Sequence, residues 1–262
     1  MLYSNEHNFT FIKTRKTAGT SVEIALSRYC SSSSDIVTPL VPEDERIRQE
    51  KSGGVYPRNY KFTLLDWCTL PFRIYDERRL YRNFDIRLLK GKYWNHVGGR
   101  IIKNRLGENM ERSYVFTVER DPWDKIVSLY YWLLRYLNKN GAEFSFDVFF
   151  DEGWVEWLSD YHLYAEGGEV FVDAIIDFDF LGDGLDKVAD QLSLPNWQQG
   201  FIRSLSAKKT SLGSKQSHAQ LFDERKKDKV RVMFAREIQL FDFREDPLVE
   251  KAVCGPFLFS AG

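Results

Sequence analysis

One stretch constrains the fold of this chain more than any other: Lys13-Thr-Arg-Lys16-Thr17-Ala18-Gly19-Thr20-Ser21, between Phe9-Thr-Phe-Ile12 and the apolar set Val22, Ala25, Leu26 and Tyr29. Phe9 to Ile12 is aromatic and β-branched and reads as a strand, whereas the later set repeats at i, i+3, i+4 and i+7 as a helix face does. A strand feeding a helix through a small-residue turn aims several free backbone N–H groups at one point, where the helix dipole adds partial positive charge. The turn is therefore a candidate anion cradle, to which Lys16 adds a full charge and Thr17, Thr20 and Ser21 add hydroxyls. An ordinary capped helix after a strand has the same composition. It is not a Walker A loop, because GxxxxGK[ST] places its glycines before the lysine, whereas Lys16 precedes Gly19.

A second unit of the same kind follows about a hundred residues later. Tyr114-Val-Phe-Thr-Val118 reads as a buried strand running into Glu119-Arg-Asp-Pro-Trp123, and Trp123, Ile126, Val127, Tyr130, Leu134 and Leu137 then share one helix face. Asp121 suits an N-cap and Pro122 a first helical position, which puts Arg120 at the strand end. Ser128 stands eight residues on, about two turns along the helix and away from the apolar stripe, so that Arg120 and Ser128 can close on one phosphate.

With 262 residues, 43% of them hydrophobic, the chain can bury a core without disulfides or metals. Lys and Arg number 37 against 38 Asp and Glu, which argues against a whole-surface grip on nucleic acid or an anionic membrane. Charge is nevertheless segregated. Residues 147–190 carry thirteen acids and one lysine, and residues 200–236 ten basic residues and three acids, a pattern that fits separate binding faces or plain solvated surface. Cys30, Cys68 and Cys254 form no CxxC, and the carboxylates of the acid-rich tract do not follow an EF-hand spacing, so no metal is expected. Residues 1–10 are polar, and Val127–Leu137 falls short of the roughly 20 apolar residues that span a bilayer. A cytoplasmic protein is the expectation.

The expected architecture is a single α/β domain over residues 1–262, with a mainly parallel sheet flanked by helices and the site at the carboxyl ends of the strands. Residues 31–60 lack periodicity and read as a long excursion, of the sort that can shape a substrate mouth. Further elements are expected at Val97–Leu106 (helix), Ala174–Leu181 (strand), Leu185–Leu194 (helix) and Asp223–Phe241 (one or two helices).

The first turn resembles the 5′-phosphosulfate loop of sulfotransferases that use 3′-phosphoadenosine 5′-phosphosulfate (PAPS), approximately PKTGGTS in the membrane-type and bacterial branch. The second resembles that family's 3′-phosphate motif, R-[ND]-P-[WYV]-x-[RK]-[LIV]-x-S, filled by Arg120, Asp121, Pro122, Trp123, Lys125, Ile126 and Ser128. Trp94-Asn-His96 and Phe234–Asp242 are similar to further segments of the family. The resemblance implies a three-layer, P-loop-like sulfotransferase fold and transfer of a sulfuryl group from PAPS to an acceptor hydroxyl, on a glycan or a small molecule. It further implies Lys16 and His96 as catalytic, Arg15 to Ser21 with Arg120 and Ser128 as cofactor-binding, and residues 204–222, with Ser211, Ser214 and Lys215, as a cofactor-covering loop.

The chain departs from the pattern at three positions. Arg15 replaces a usual Pro, and Ala18 replaces a usual Gly, which predicts a negative φ at residue 18. Glu119 stands where an apolar residue is common, where it can weaken or orient Arg120. The alternatives are a P-loop-type kinase using ATP and a non-catalytic nucleotide-binding module. Of the other histidines, His7 precedes the first strand, His162 lies in an aromatic and acidic stretch, and His218 falls in the basic loop.

Overall fold

A computed structural model describes residues 1–64, 66, 91–137, 144–205, 218, 220–251 and 255–261. Strands β1 (Leu2–Ser4), β2 (Phe9–Ile12), β3 (Ile36–Val37), β4 (Tyr114–Glu119), β7 (Ala174–Asp177) and β8 (Phe257–Ser260) form one sheet in the order β3-β1-β2-β4-β7-β8. A separate hairpin pairs β5 (Ala165–Glu166) with β6 (Glu169–Val170). The longer helices are α1 (Gly19–Leu26), α2 (Pro42–Ser52), α3 (Gly99–Leu106), α4 (Pro122–Tyr136), α5 (Leu181–Gln191), α6 (Glu224–Met233) and α7 (Ala235–Phe241).

Side chains alternate across the central strands and so feed a core on each face. Phe9, Phe11, Phe116, Val118, Ala174 and Ile176 pack with Val22, Ala25 and Leu26 of α1 and with Leu185 and Val188 of α5. Ile12, Val115 and Ile175 turn the other way, into a cluster with Ile101 and Ile102 of α3 and Ile126, Val127, Tyr130 and Leu133 of α4. Helices thus cover both faces, as expected of an α/β protein.

The sheet is mixed rather than mainly parallel. Of its five pairings only β2 with β4 and β4 with β7 are parallel; β1 with β2, β1 with β3 and β7 with β8 are antiparallel. The turn Asn5–Asn8 is too short for a parallel crossover, so it folds β1 back against β2. Residues 31–60 are likewise built into the body: β3 adds to β1, and α2 packs against α1. That helix escaped the periodicity reading because the residues it buries are Asp44, Arg48 and Ser52, not apolar ones. The last expected strand is shorter, with β7 ending at Asp177 and α5 beginning at Leu181.

Candidate functional site

The parallel strands β2, β4 and β7 end side by side, with Ile12 paired to Thr117 and Glu119 to Asp177. The segments leaving them, Lys13–Ala18, Arg120–Asp121 and Phe178–Phe180, therefore share one edge of the sheet. The Arg120 guanidinium carbon lies 4.2 Å from the centre of the Phe178 ring, and its Nη1 donates to the Lys16 carbonyl at 3.4 Å. Two segments 104 residues apart in sequence thus meet in one place.

The first segment is wound tightly. Lys16 has φ 59° and Ala18 φ 57°, both left-handed, contrary to the negative φ expected at residue 18. The turn requires this conformation, because alternating handedness curls successive N–H groups toward one concavity. Ser21 and Val22 both donate to the Ala18 carbonyl at 2.8 and 3.2 Å, which leaves the N–H groups ahead of them at the open end of α1. Gly19 serves a different purpose: a β-carbon there would meet Cγ of Lys13 at 2.6 Å. Lys13 runs beneath the turn to Oε2 of Glu23 at 2.6 Å, a buried pair that fixes the floor of the loop.

Not every residue expected to hold the ligand is free to do so. The Arg15 guanidinium pairs with Oδ1 of Asp160, and its backbone N–H donates to Oδ2 of the same carboxylate at 2.6 Å, so Arg15 anchors the loop. Thr14 donates to the Val118 carbonyl, so the Thr17 hydroxyl, 2.8 Å from Oγ1 of Thr14 and 3.2 Å from its carbonyl, directs its proton at Thr14 rather than at a ligand. The hydroxyls of Thr20, Ser21 and Ser128 are half-buried and make no hydrogen bond among the described residues. The Lys16 ammonium lies 5.2 Å from the centre of the Trp132 ring. Ser211, Ser214 and Lys215 fall outside the described residues.

Arg120 keeps one donor unpaired. Its Nε is buried without a hydrogen-bond partner, and burial pulls its pKa down, against the charges of Asp124, Asp179 and Asp121. The neighbouring Asp121 does not neutralise it. Asp121 caps α4 by accepting from Trp123 N at 3.0 Å, and both its oxygens take a fork of hydrogen bonds from Arg244 at 2.9 Å. Such forked pairs are among the stronger charge-assisted bonds.

His96 reaches the same loop, its Nδ1 lying 3.0 Å from the Lys13 carbonyl. A carbonyl only accepts, so Nδ1 carries the proton and Nε2 keeps its lone pair. Burial, reinforced by the charges of Lys13 and Arg15 and opposed by Asp160, lowers the His96 pKa to about 3. His96 also has φ 59°, so of the eight non-glycine residues at positive φ among the described residues, three, Lys16, Ala18 and His96, stand at this edge. Such conformations concentrate at functional sites. Of the other histidines, His7 packs edge-on against Tyr29, His218 lies against Tyr131, and His162 lines a cavity of about 310 Å³ with Arg236 and Glu237.

Behind the loop lies a set of buried charges that sequence reasoning missed in part. Lys125 bonds Oε1 of Glu119 at 2.7 Å and Oδ2 of Asp160 at 3.0 Å, and Tyr164 donates to Oε2 of Glu119 at 3.1 Å. Glu119 also accepts from the Arg120 N–H at 2.9 Å, so it orients Arg120. Asp160 carries no local motif, and its partner Arg15 is 145 residues away.

The chain is similar to an uncharacterized protein of Archaeoglobus fulgidus, with 32% identity over 99 residues that make up 36% of this chain and 81% of that protein. It therefore belongs to that protein's family. No family model matches the chain, and no solved structure matches it.

Proposed function

We propose that the protein is a sulfotransferase that moves a sulfuryl group from PAPS to an acceptor hydroxyl of a glycan or small molecule. We also read its α/β architecture as the P-loop-like fold of that family. The observation that carries the reading is the meeting of the two motifs: an N–H cradle with Lys16 beside a half-buried arginine whose buried Nε has no partner. A ligand with phosphates at both its 5′ and 3′ positions has the chemistry to satisfy both. The donor set fits it: backbone N–H groups, Lys16 and the hydroxyls of Thr20 and Ser21 for the 5′ group, Arg120 and Ser128 for the 3′ phosphate.

When bound, PAPS supplies the sulfuryl group and leaves as 3′-phosphoadenosine 5′-phosphate (PAP). Lys16 and the N–H cradle neutralise the charge that gathers on the departing phosphate, the larger part of what such a site contributes. His96, with Nδ1–H held by the Lys13 carbonyl, offers Nε2 to take the acceptor's proton.

Thermal denaturation with PAP and with ATP plus Mg²⁺ tests the assignment. PAP at a free concentration 100 times its Kd should stabilise the fold by about 2.7 kcal/mol, and ATP much less. Arg120→Ala should abolish most of that difference and Ser128→Ala a smaller part, since a charged donor contributes more than a hydroxyl. Equal shifts for PAP and ATP would sink the assignment, and transfer of labelled sulfate to a panel of glycans, phenols and lipids would identify the acceptor.

A further inference from the structure

The two anion-binding segments are tied together from behind. Each enters the site through a backbone N–H held by a carboxylate: Arg15 N–H by Asp160 at 2.6 Å, and Arg120 N–H by Glu119 at 2.9 Å. Both carboxylates are buried, and one ammonium group, that of Lys125, lies between them at 3.0 and 2.7 Å. Lys125 is itself 1% exposed, so it cannot reach a ligand.

We infer that Lys125 is the positioning residue that locks the two anion-binding segments at the separation a ligand with two phosphates requires. This inference rests on the proposed PAPS reading. Glu119 and Asp160 are like charges in a region closed to water; burial and the charge of Asp160 raise Glu119, whereas Lys125 and Arg15 hold Asp160 down. With Lys125 between them they are drawn toward a common centre, and the N–H groups they hold are drawn with them. Without it the carboxylates repel or take up a proton, and the anchors at Arg15 and Arg120 lose their fixed spacing. Tyr164 on Glu119 and the Arg15 guanidinium on Asp160 hold the outer oxygens, so the Lys125 bridge is what joins the two anchoring carboxylates, beside the direct Arg120 to Lys16 and Thr14 to Val118 hydrogen bonds.

The role predicts an effect on ligands that engage both halves and little effect on ligands that engage one. Calorimetric titration of wild type and Lys125→Met with PAP and with adenosine 5′-phosphate measures this, with affinities expressed per folded molecule. The wild type should prefer PAP strongly. In Lys125→Met that preference should fall about tenfold or more, because two linked contacts lose their shared geometry, while the 5′-phosphate affinity changes little. Lys125→Arg, which keeps a cation able to contact both carboxylates, should retain most of the preference.

If Lys125→Met does not fold, Glu119→Gln carries the same test, since it keeps the side-chain shape while weakening both the bridge and the hold on the Arg120 N–H. A folded variant that has lost stability but kept the wild-type preference overturns the positioning role alone. A wild type with no preference for PAP overturns the functional reading, and the bridge's role falls with it.

Discussion

His96 combines a left-handed backbone with a ring whose Nδ1–H is fixed on a carbonyl, an arrangement that presents Nε2 as an acceptor at every pH near neutrality. Its unperturbed pKa would be near 6.5, and a base of that strength would titrate in the physiological range. Burial, with Lys13 and Arg15 close by, instead lowers it to about 3, so the ligand-free ring should show no titration by NMR between pH 5.5 and 8. Bringing phosphates beside it would raise the value, because a nearby negative charge favours the protonated ring. Asparagine tolerates the left-handed conformation, so His96→Asn removes the base without straining residue 96. It should lower turnover by about 10²-fold or more while leaving the affinity for PAP within about twofold. A variant that turns over like wild type would assign the base elsewhere.

At the scale of the element, the strand, turn and helix from Phe9 to Leu26 were legible in the sequence because each signal is local: residue type, spacing, small residues at the bend. The handedness of the turn was not, since an alanine in place of the usual glycine points to a negative φ, and the close tertiary surroundings that hold Ala18 at 57° are not local signals. The structure keeps the conformation and accepts the alanine's strain. Ala18→Gly should therefore stabilise the protein by about 0.5–1 kcal/mol in urea denaturation, relieving a Cβ at positive φ. Gly19→Ala, one residue on, should do the opposite. Its new Cβ would press on Cγ of Lys13, whose far end is pinned on Glu23, and overpacking of this kind costs about 1–3 kcal/mol. Equal effects of the two substitutions would contradict the assigned turn geometry.

For the molecule as a whole, the segregation of charge along the sequence resolves into internal pairing. Asp147, Asp151 and Glu156 of the acidic tract meet Lys226, Arg225 and Lys229 of α6 at 2.6, 2.9 and 2.8 Å, so much of the apparent pair of faces is one seam. Exposed pairs of this kind contribute little, about 0–1 kcal/mol each, and the pH dependence of stability is set by the buried groups instead. Glu23 is pushed up by burial but pulled further down by Lys13 and the Met1 amino group, to about 2, so its contribution is present above 4.5 and is lost as pH falls toward 2. His96, lowered from 6.5 to about 3, likewise withdraws stability as pH falls through that interval. Glu237 runs the other way. Burial, with the charge of Glu119, raises it from 4.5 to about 7, so its protonated form belongs to the fold and its contribution, full below 4.5, is lost as pH rises through 7. His96 and Glu237 offset one another between 4.5 and 6.5, and the Met1 amino group, which burial lowers from 8.0 to about 6, gains as pH rises, so stability should be nearly level from about pH 5 to 8 and melting temperature should fall toward pH 3. Glu237→Gln makes the group permanently neutral, so it should leave stability at pH 4 nearly unchanged and raise it at pH 8 by at most about 3 kcal/mol. Because Glu237 also lines the cavity with His162 and Arg236, the substitution leaves the shape of that wall intact and isolates the charge. Melting curves of Glu237→Gln and wild type that stay parallel from pH 4 to pH 8 would show that Glu237 is charged in the fold and that the buried set behind the loop balances without it.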